Sequence, residues 1–132
     1  GPNGEIVYRV WTDKAVQSTS DETITMKGVR MKYDPADGIP WELRANNGKI
    51  ADAVRVIQLS GDVIATGITD EQNVVIIRTQ ELNMDPATRE ASADGEVTVD
   101  YNGRKLNALG MRANLASNQV KLLADVNGQF IP

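Results

Sequence analysis

The amino-acid sequence predicts an all-β domain made of many short, stacked strands. Three observations carry that reading: apolar and polar residues alternate with a period of two in several runs, Asn-Gly and Asp-Gly pairs punctuate the chain, and a weak internal repeat returns every 33 or 34 residues. Alternation with period two is the pattern of a half-buried strand, because successive side chains point to opposite faces of a sheet.

The elements follow in order. Ile6, Tyr8 and Val10 open the chain on one face, with Val7 and Trp11 adding apolar character to the other. Val29, Met31 and Tyr33 then alternate with Arg30 and Lys32, and Trp41, Leu43 and Ala45 alternate with Glu42 and Arg44. The clearest run is residues 96–101, where Val97, Val99 and Tyr101 oppose Glu96, Thr98 and Asp100. Asn3-Gly4, Asp37-Gly38, Asn47-Gly48, Asp94-Gly95, Asn102-Gly103 and Asn127-Gly128 are predicted turns, because these pairs tolerate the positive backbone dihedrals of tight hairpins. Asp34-Pro35 and Asp85-Pro86 start two more.

Two segments, residues 50–59 and 107–123, are rich in Ala, Leu and Met and are written equally well as helices. The repeat decides for strands, since repeated segments share a conformation. Residues 50–63 align without a gap on residues 113–126, matching Ala53 with Ala116, Ile57 with Val120, Leu59 with Leu122, Asp62 with Asp125 and Val63 with Val126. Gly28, Gly61, Gly95 and Gly128 mark the period, although Ala124 holds the aligned place that Gly128 leaves. Two extended rungs per period suit a stacked β architecture. Residues 1–132 form one domain, and a chain of this length buries roughly two thirds of its unfolded surface.

The composition excludes several functions. A formal net charge of −4 argues against nucleic acid and anionic membranes as partners. With neither cysteine nor histidine, there is no disulfide, no thiolate or imidazole nucleophile machinery, and no zinc ligand of the usual nitrogen or sulfur kind. Ser18, Ser20, Ser60, Ser92 and Ser117 stand in polar surroundings without a nucleophile elbow. The carboxylate pairs Asp21-Glu22, Asp70-Glu71 and Asp94/Glu96 lie in or beside predicted turns, where acidic residues cap and solvate. Neither a calcium loop nor a phosphate cradle is present, so the reading is of a protein that is not an enzyme and takes no cofactor. Six aromatic residues are few for a glycan or single-strand nucleic-acid platform.

The predicted inward faces are aliphatic: Ile24, Met26, Val29, Met31, Leu43, Ile57, Leu59, Val63, Val75, Ile77, Val97, Val99, Leu106, Leu122 and Val126. In a closed domain these residues are core. In an open sandwich they line a slot for acyl chains.

The order and spacing of several segments resemble the LptC family of lipopolysaccharide transport. The carriers are Tyr8-Arg9-Val10, Val29-Arg30-Met31-Lys32-Tyr33-Asp34 with Ile39-Pro40-Trp41, the rung at residues 45–63 ending Leu59-Ser60-Gly61-Asp62-Val63, and Ile77-Arg78-Thr79 leading to Leu82. The tail adds Gly110-Met111-Arg112-Ala113-Asn114-Leu115 and Val120-Lys121-Leu122-Leu123-Ala124-Asp125-Val126. The resemblance implies an open antiparallel β-jellyroll in the periplasm whose apolar interior takes the acyl chains of lipid A. It also implies that lipopolysaccharide passes from the inner-membrane LptF, LptG and LptB transporter to LptA. Docking to LptF and LptG would use the N-terminal edge, with Ile6, Tyr8 and Val10, and docking to LptA the C-terminal edge, with Val120, Leu122 and Phe130. LptC proteins usually carry one N-terminal transmembrane helix; Gly1-Pro2 reads as the remnant of a protease site, so an inner-membrane anchor ahead of it is expected. An LptA-like bridge protein shares the repeat and is the close alternative. A non-lipid adaptor, favoured by a tightly closed core, and a glycan-binding module, favoured by an aromatic groove, are the more distant ones.

Overall fold

The computed structural model describes residues 7–18, 22–34, 40–51, 56–68, 73–85, 87–114 and 119–129. Among the described residues eight strands follow one another: β1 (Val7–Gln17), β2 (Thr23–Asp34), β3 (Trp41–Ala51), β4 (Ile57–Ile68), β5 (Val74–Asp85), β6 (Glu90–Tyr101), β7 (Arg104–Asn114) and β8 (Gln119–Gln129). Each pairs antiparallel with the next, in the order β1 to β8, as one sheet. Of the segments that propensity left open between helix and strand, the described residues 50–51 and 57–59 lie in β3 and β4, and 107–114 and 119–123 in β7 and β8. No helix occurs among the described residues, and so none that could cross a membrane.

The alternation read from the sequence sets the inner face. Val29, Met31 and Tyr33, Trp41, Leu43 and Ala45, and Val97 and Val99 are all buried, while Tyr101 is exposed at the strand end. All four methionines, Met26, Met31, Met84 and Met111, lie in the same core, where a flexible thioether fills irregular gaps.

Halfway along every strand from β2 to β7 the alternation slips. Buried residues step by three, from Met26 to Val29, Ala45 to Gly48 and Thr79 to Leu82, and in β7 the neighbours Gly110 and Met111 are both buried. In β4 and β6 they step by four, from Leu59 to Val63 and from Ala93 to Val97, and there the register shifts by an inserted residue on the side of β4 and of β6. Bulges of this kind bend a strand and raise its twist. They fall on one row across the sheet, which passes Gly28, Asn46, Gly61-Asp62, Gln80, Asp94-Gly95 and Gly110. The strands turn a corner at this row. Gly61 has φ +79° and Asp62 φ +49°, and a Cβ on Gly61 would meet the Asn46 Cβ at 2.9 Å.

The corner folds the sheet into two layers. Trp41, Leu43, Val63, Ala65 and Ile77 come from strand halves on one side of it, and Leu82, Ala91, Met111 and Ala113 from halves on the other, yet they surround one cavity. In a flat sheet β3 and β7 would stand roughly 19 Å apart, so only folding brings Trp41 to Ala113. Polar groups at the corner are met locally: Thr12 Oγ1 donates to the Lys27 carbonyl (2.9 Å), Thr79 Oγ1 to that of Glu96 (2.9 Å), and Gln80 Nε2 to Asp62 Oδ1 (3.0 Å).

This geometry corrects three predicted turns. Asn47-Gly48, Asp94-Gly95 and Asn127-Gly128 lie inside β3, β6 and β8, not between strands. Asp94-Gly95 is on the corner row and Asn47-Gly48 beside it, where Gly48 lets Val29 and Met26 approach; a Cβ there would stand 2.9 Å from Val29 Cγ2. Asn102-Gly103 is a true hairpin turn between Tyr101 and Arg104, with φ +54° and +88° at its two residues as a two-residue turn requires. After β5, Asp85 Oδ1 accepts from the Ala87 amide (3.0 Å) and the Arg89 amide returns to the Asp85 carbonyl (2.8 Å). Asn3-Gly4 and Asp37-Gly38 lie outside the described residues.

Candidate functional site

The site assembled by this fold is the inner face between the two layers, together with the strands that bound the sheet. Of the aliphatic residues predicted to face inward, Met26, Val29, Met31, Leu43, Ile57, Leu59, Val63, Ile77, Val97 and Val99 are buried in one cluster. Ile24, Val75, Leu106 and Leu122 pack against it half-buried, and the side chain of Val126 lies outside the described residues. The inner face also holds Tyr33, Trp41, Leu82, Met84 and Met111 with a set of alanines, 45, 65, 91, 93, 108 and 113. Period-two counting missed Leu82, Met84 and Met111, because they lie beyond the corner where the count slips by one. The alanines carry little hydrophobic signal in a sequence, yet small side chains are what let the layers close.

The interior is tightly packed. Its cavity has a volume of about 20 Å³, room for roughly one water molecule. Larger spaces open at the surface. A depression of about 490 Å³ is lined by Glu90, Ala91, Arg112, Ala113, Asn114, Gln119, Val120 and Lys121, at the start of β6 and β8 and the end of β7. It shares Ala91 and Ala113 with the inner cavity, so two methyl-sized side chains stand between open surface and apolar interior. On the outer face, Trp11, Arg30, Arg44, Ile64 and Arg78 form one register row, and Trp11, Arg30, Arg44 and Ile64 line part of a second depression of about 700 Å³. The Arg30 guanidinium lies 5.2 Å from the Trp11 ring centre, and Arg44 Nε pairs with Glu42 Oε1 at 3.4 Å.

Among the described residues, strands β1 and β8 each have a single neighbour, so each leaves one side of its backbone unpaired in the sheet. Of the residues predicted for docking, Val10 is half-buried on β1, Val120 is 42% exposed on β8 and Leu122 is half-buried beside it. Tyr8 lies on β1 with its side chain outside the described residues, as are Ile6 and Phe130 altogether. β8 is apolar on both faces, since Leu123 is also 44% exposed on the outside.

Two polar atoms within the core are unmet: Tyr33 Oη and Trp41 Nε1 find no acceptor among the described residues. Burial pushes the Tyr33 phenol above its ordinary pKa, with the Arg89 charge acting weakly in the opposite sense. No cluster of three or more metal-ligating side chains occurs among the described residues.

A family model described as lipopolysaccharide-assembly, LptC-related, matches residues 1–131. The chain belongs to the LptC family. Its fold is shared with the crystal structure of LptH from Pseudomonas aeruginosa, described as the LptA homologous periplasmic component of the conserved lipopolysaccharide transport device. The TM-score is 0.70 at 10% sequence identity, over 96% of each chain. No curated protein sequence matches. The jellyroll expected from the sequence is therefore the fold observed, an all-β open sheet of eight antiparallel strands. LptC-family domains are periplasmic bridge proteins of lipopolysaccharide transport, not enzymes. The packed interior is the arrangement expected of a non-lipid adaptor; membership of the LptC family decides for lipopolysaccharide transport.

Proposed function

We propose that this domain receives lipopolysaccharide from the LptF, LptG and LptB transporter and passes it to LptA, holding the acyl chains between its two layers. The observation that carries the reading is the largely apolar inner face, which runs from β2 to β8 and reaches open surface beside Ala91 and Ala113. An interior with room for one water admits an acyl chain only when the layers part. The magnitudes decide what holds the ligand: burying ten methylenes contributes about 8 kcal/mol, whereas an exposed Lys or Arg on a lipid phosphate contributes about 1 kcal/mol at most. Acyl burial dominates binding.

The free backbones of β1 and β8 support docking by strand addition, β1 toward LptF and LptG and β8 toward LptA. An apolar edge such as β8 invites a partner strand. The domain then works in the periplasm, tethered to the inner membrane by an anchor ahead of residue 1.

The test is copurification with lipid A at defined salt. Leu59→Asp or Val99→Asp, each placing a charge on the inner face, abolishes binding in a domain that circular dichroism shows to be folded, while Lys49→Ala or Arg78→Ala only weakens it. Binding that persists in folded Val99→Asp, or that added salt alone removes, overturns the reading.

A further inference from the structure

We propose that Tyr33 and Trp41 form a paired hydrogen-bond donor inside the jellyroll that recognises the carbonyl oxygen joining an acyl chain to its headgroup. The inference rests on the reading that acyl chains enter between the layers, and it adds which chemistry the interior selects. Tyr33 and Trp41 are directly opposed across the β2–β3 pair, Tyr33 next to the last residue of β2 and Trp41 the first of β3. They are 2% and 6% exposed, and both Tyr33 Oη and Trp41 Nε1 are fully buried without an acceptor among the described residues.

Buried donors left unmet are rare in native proteins, because each gives up its bonds to water and gains nothing in return. Phenylalanine at position 33 would fill the core without that cost, so packing alone does not ask for the Tyr33 hydroxyl. Thr79, the hydroxyl that lines the cavity with Trp41, is already used: its Oγ1 donates to the Glu96 carbonyl at 2.9 Å. The Tyr33 phenol is protonated at neutral pH and has a proton to donate, and the indole N–H only donates. Two unused donors match a carbonyl oxygen, which has two lone pairs.

Placement agrees with the chemistry. Both residues stand at the strand ends remote from the corner, so a chain held there by its carbonyl runs inward along the apolar half-strands, past Met31 and Leu43. Trp41 also lines the inner cavity with Ala91 and Ala113, the residues that separate it from the open depression. An ether-linked chain offers a poorer acceptor and a bare hydrocarbon none.

The experiment compares two disaccharide probes of equal tail length, sucrose monododecanoate, with an ester carbonyl, and dodecyl maltoside, with an ether, below their micelle concentrations by titration calorimetry. The native domain binds the ester roughly five- to tenfold more tightly, the gain of one or two hydrogen bonds. Tyr33→Phe, which keeps the ring in place, lowers the preference, and the Tyr33→Phe/Trp41→Phe double variant abolishes it with ether affinity unchanged within twofold. Equal binding of both probes by the native domain, a full ester preference in Tyr33→Phe, or equal loss of both probes in folded Tyr33→Phe overturns this proposal alone. Binding of neither probe by the native domain overturns the acyl-chain reading and this proposal with it.

Discussion

Gly61 and Gly95 occupy equivalent places in the sequence repeat, and the structure predicts that Ala substitutions there have opposite signs. Gly61 holds φ +79°, and a left-handed backbone costs an L-residue about 1–2 kcal/mol. The new Cβ would meet the Asn46 Cβ at 2.9 Å. That atom is anchored to its own backbone, so β3 must shift, adding about 1 kcal/mol or more of overpacking. Loss of unfolded-state freedom returns about 0.4–1 kcal/mol. Gly61→Ala therefore destabilises by about 2 kcal/mol. At Gly95 nothing lies within 4 Å of an added Cβ, and the backbone is outside the left-handed region, so only the unfolded-state gain remains. Gly95→Ala stabilises by about 0.5 kcal/mol. Urea denaturation measures both, and the difference corresponds to a midpoint separation of about 10 °C in thermal melts, at roughly 4 °C per kcal/mol for a domain of this size. Equal destabilisation by the two variants would refute the argument that the corner is built on left-handed geometry at β4 in particular.

Two further outcomes follow from the edge strand and from Tyr33. Along β8, backbone N–H groups point alternately toward β7 and away from it, so of Lys121→Pro and Leu122→Pro one removes a ladder bond and lowers stability while the other leaves the fold intact and removes LptA capture; pull-down beside circular dichroism separates them, and capture undiminished in both variants places the docking edge elsewhere. Below the ordinary phenol pKa of 10.0 Tyr33 is neutral folded and unfolded, and its contribution is fully present; above it the unfolded chain ionises first, and stability falls as pH rises through the raised folded value. Tyr33→Phe removes this component, so chemical denaturation between neutral and strongly alkaline pH shows a shallower loss in the variant.

What the sequence determined by itself is what depends on neighbours along the chain. Which way a side chain points is a local matter of period two, and so the runs at Val29, Met31 and Tyr33, at Trp41, Leu43 and Ala45, and at Val97 and Val99 reveal strands and their buried face without any tertiary information. Asn102-Gly103 declares a hairpin for the same reason, since its turn needs only its own dihedrals. The repeat carried further: Asp62 and Asp125 both fall in register shifts of their strands, and Gly28, Gly61 and Gly95 all fall on the corner row. Yet Asn-Gly and Asp-Gly tolerate a bulge as readily as a turn, and nothing local distinguishes Asp94-Gly95 within β6 from Asn102-Gly103 after it. Burial separates the repeats as well: Ile57 is buried and its counterpart Val120 is 42% exposed, because β4 has a strand on either side and β8 is an edge. The tertiary structure alone decided that the sheet folds at the corner, bringing Trp41 of β3 onto Ala91 and Ala113 of β6 and β7, filling the interior and leaving two buried donors without acceptors among the described residues. Those facts depend on contacts between residues 50 and more positions apart, and the alternation of a single strand carries no record of what lies across the layer from it.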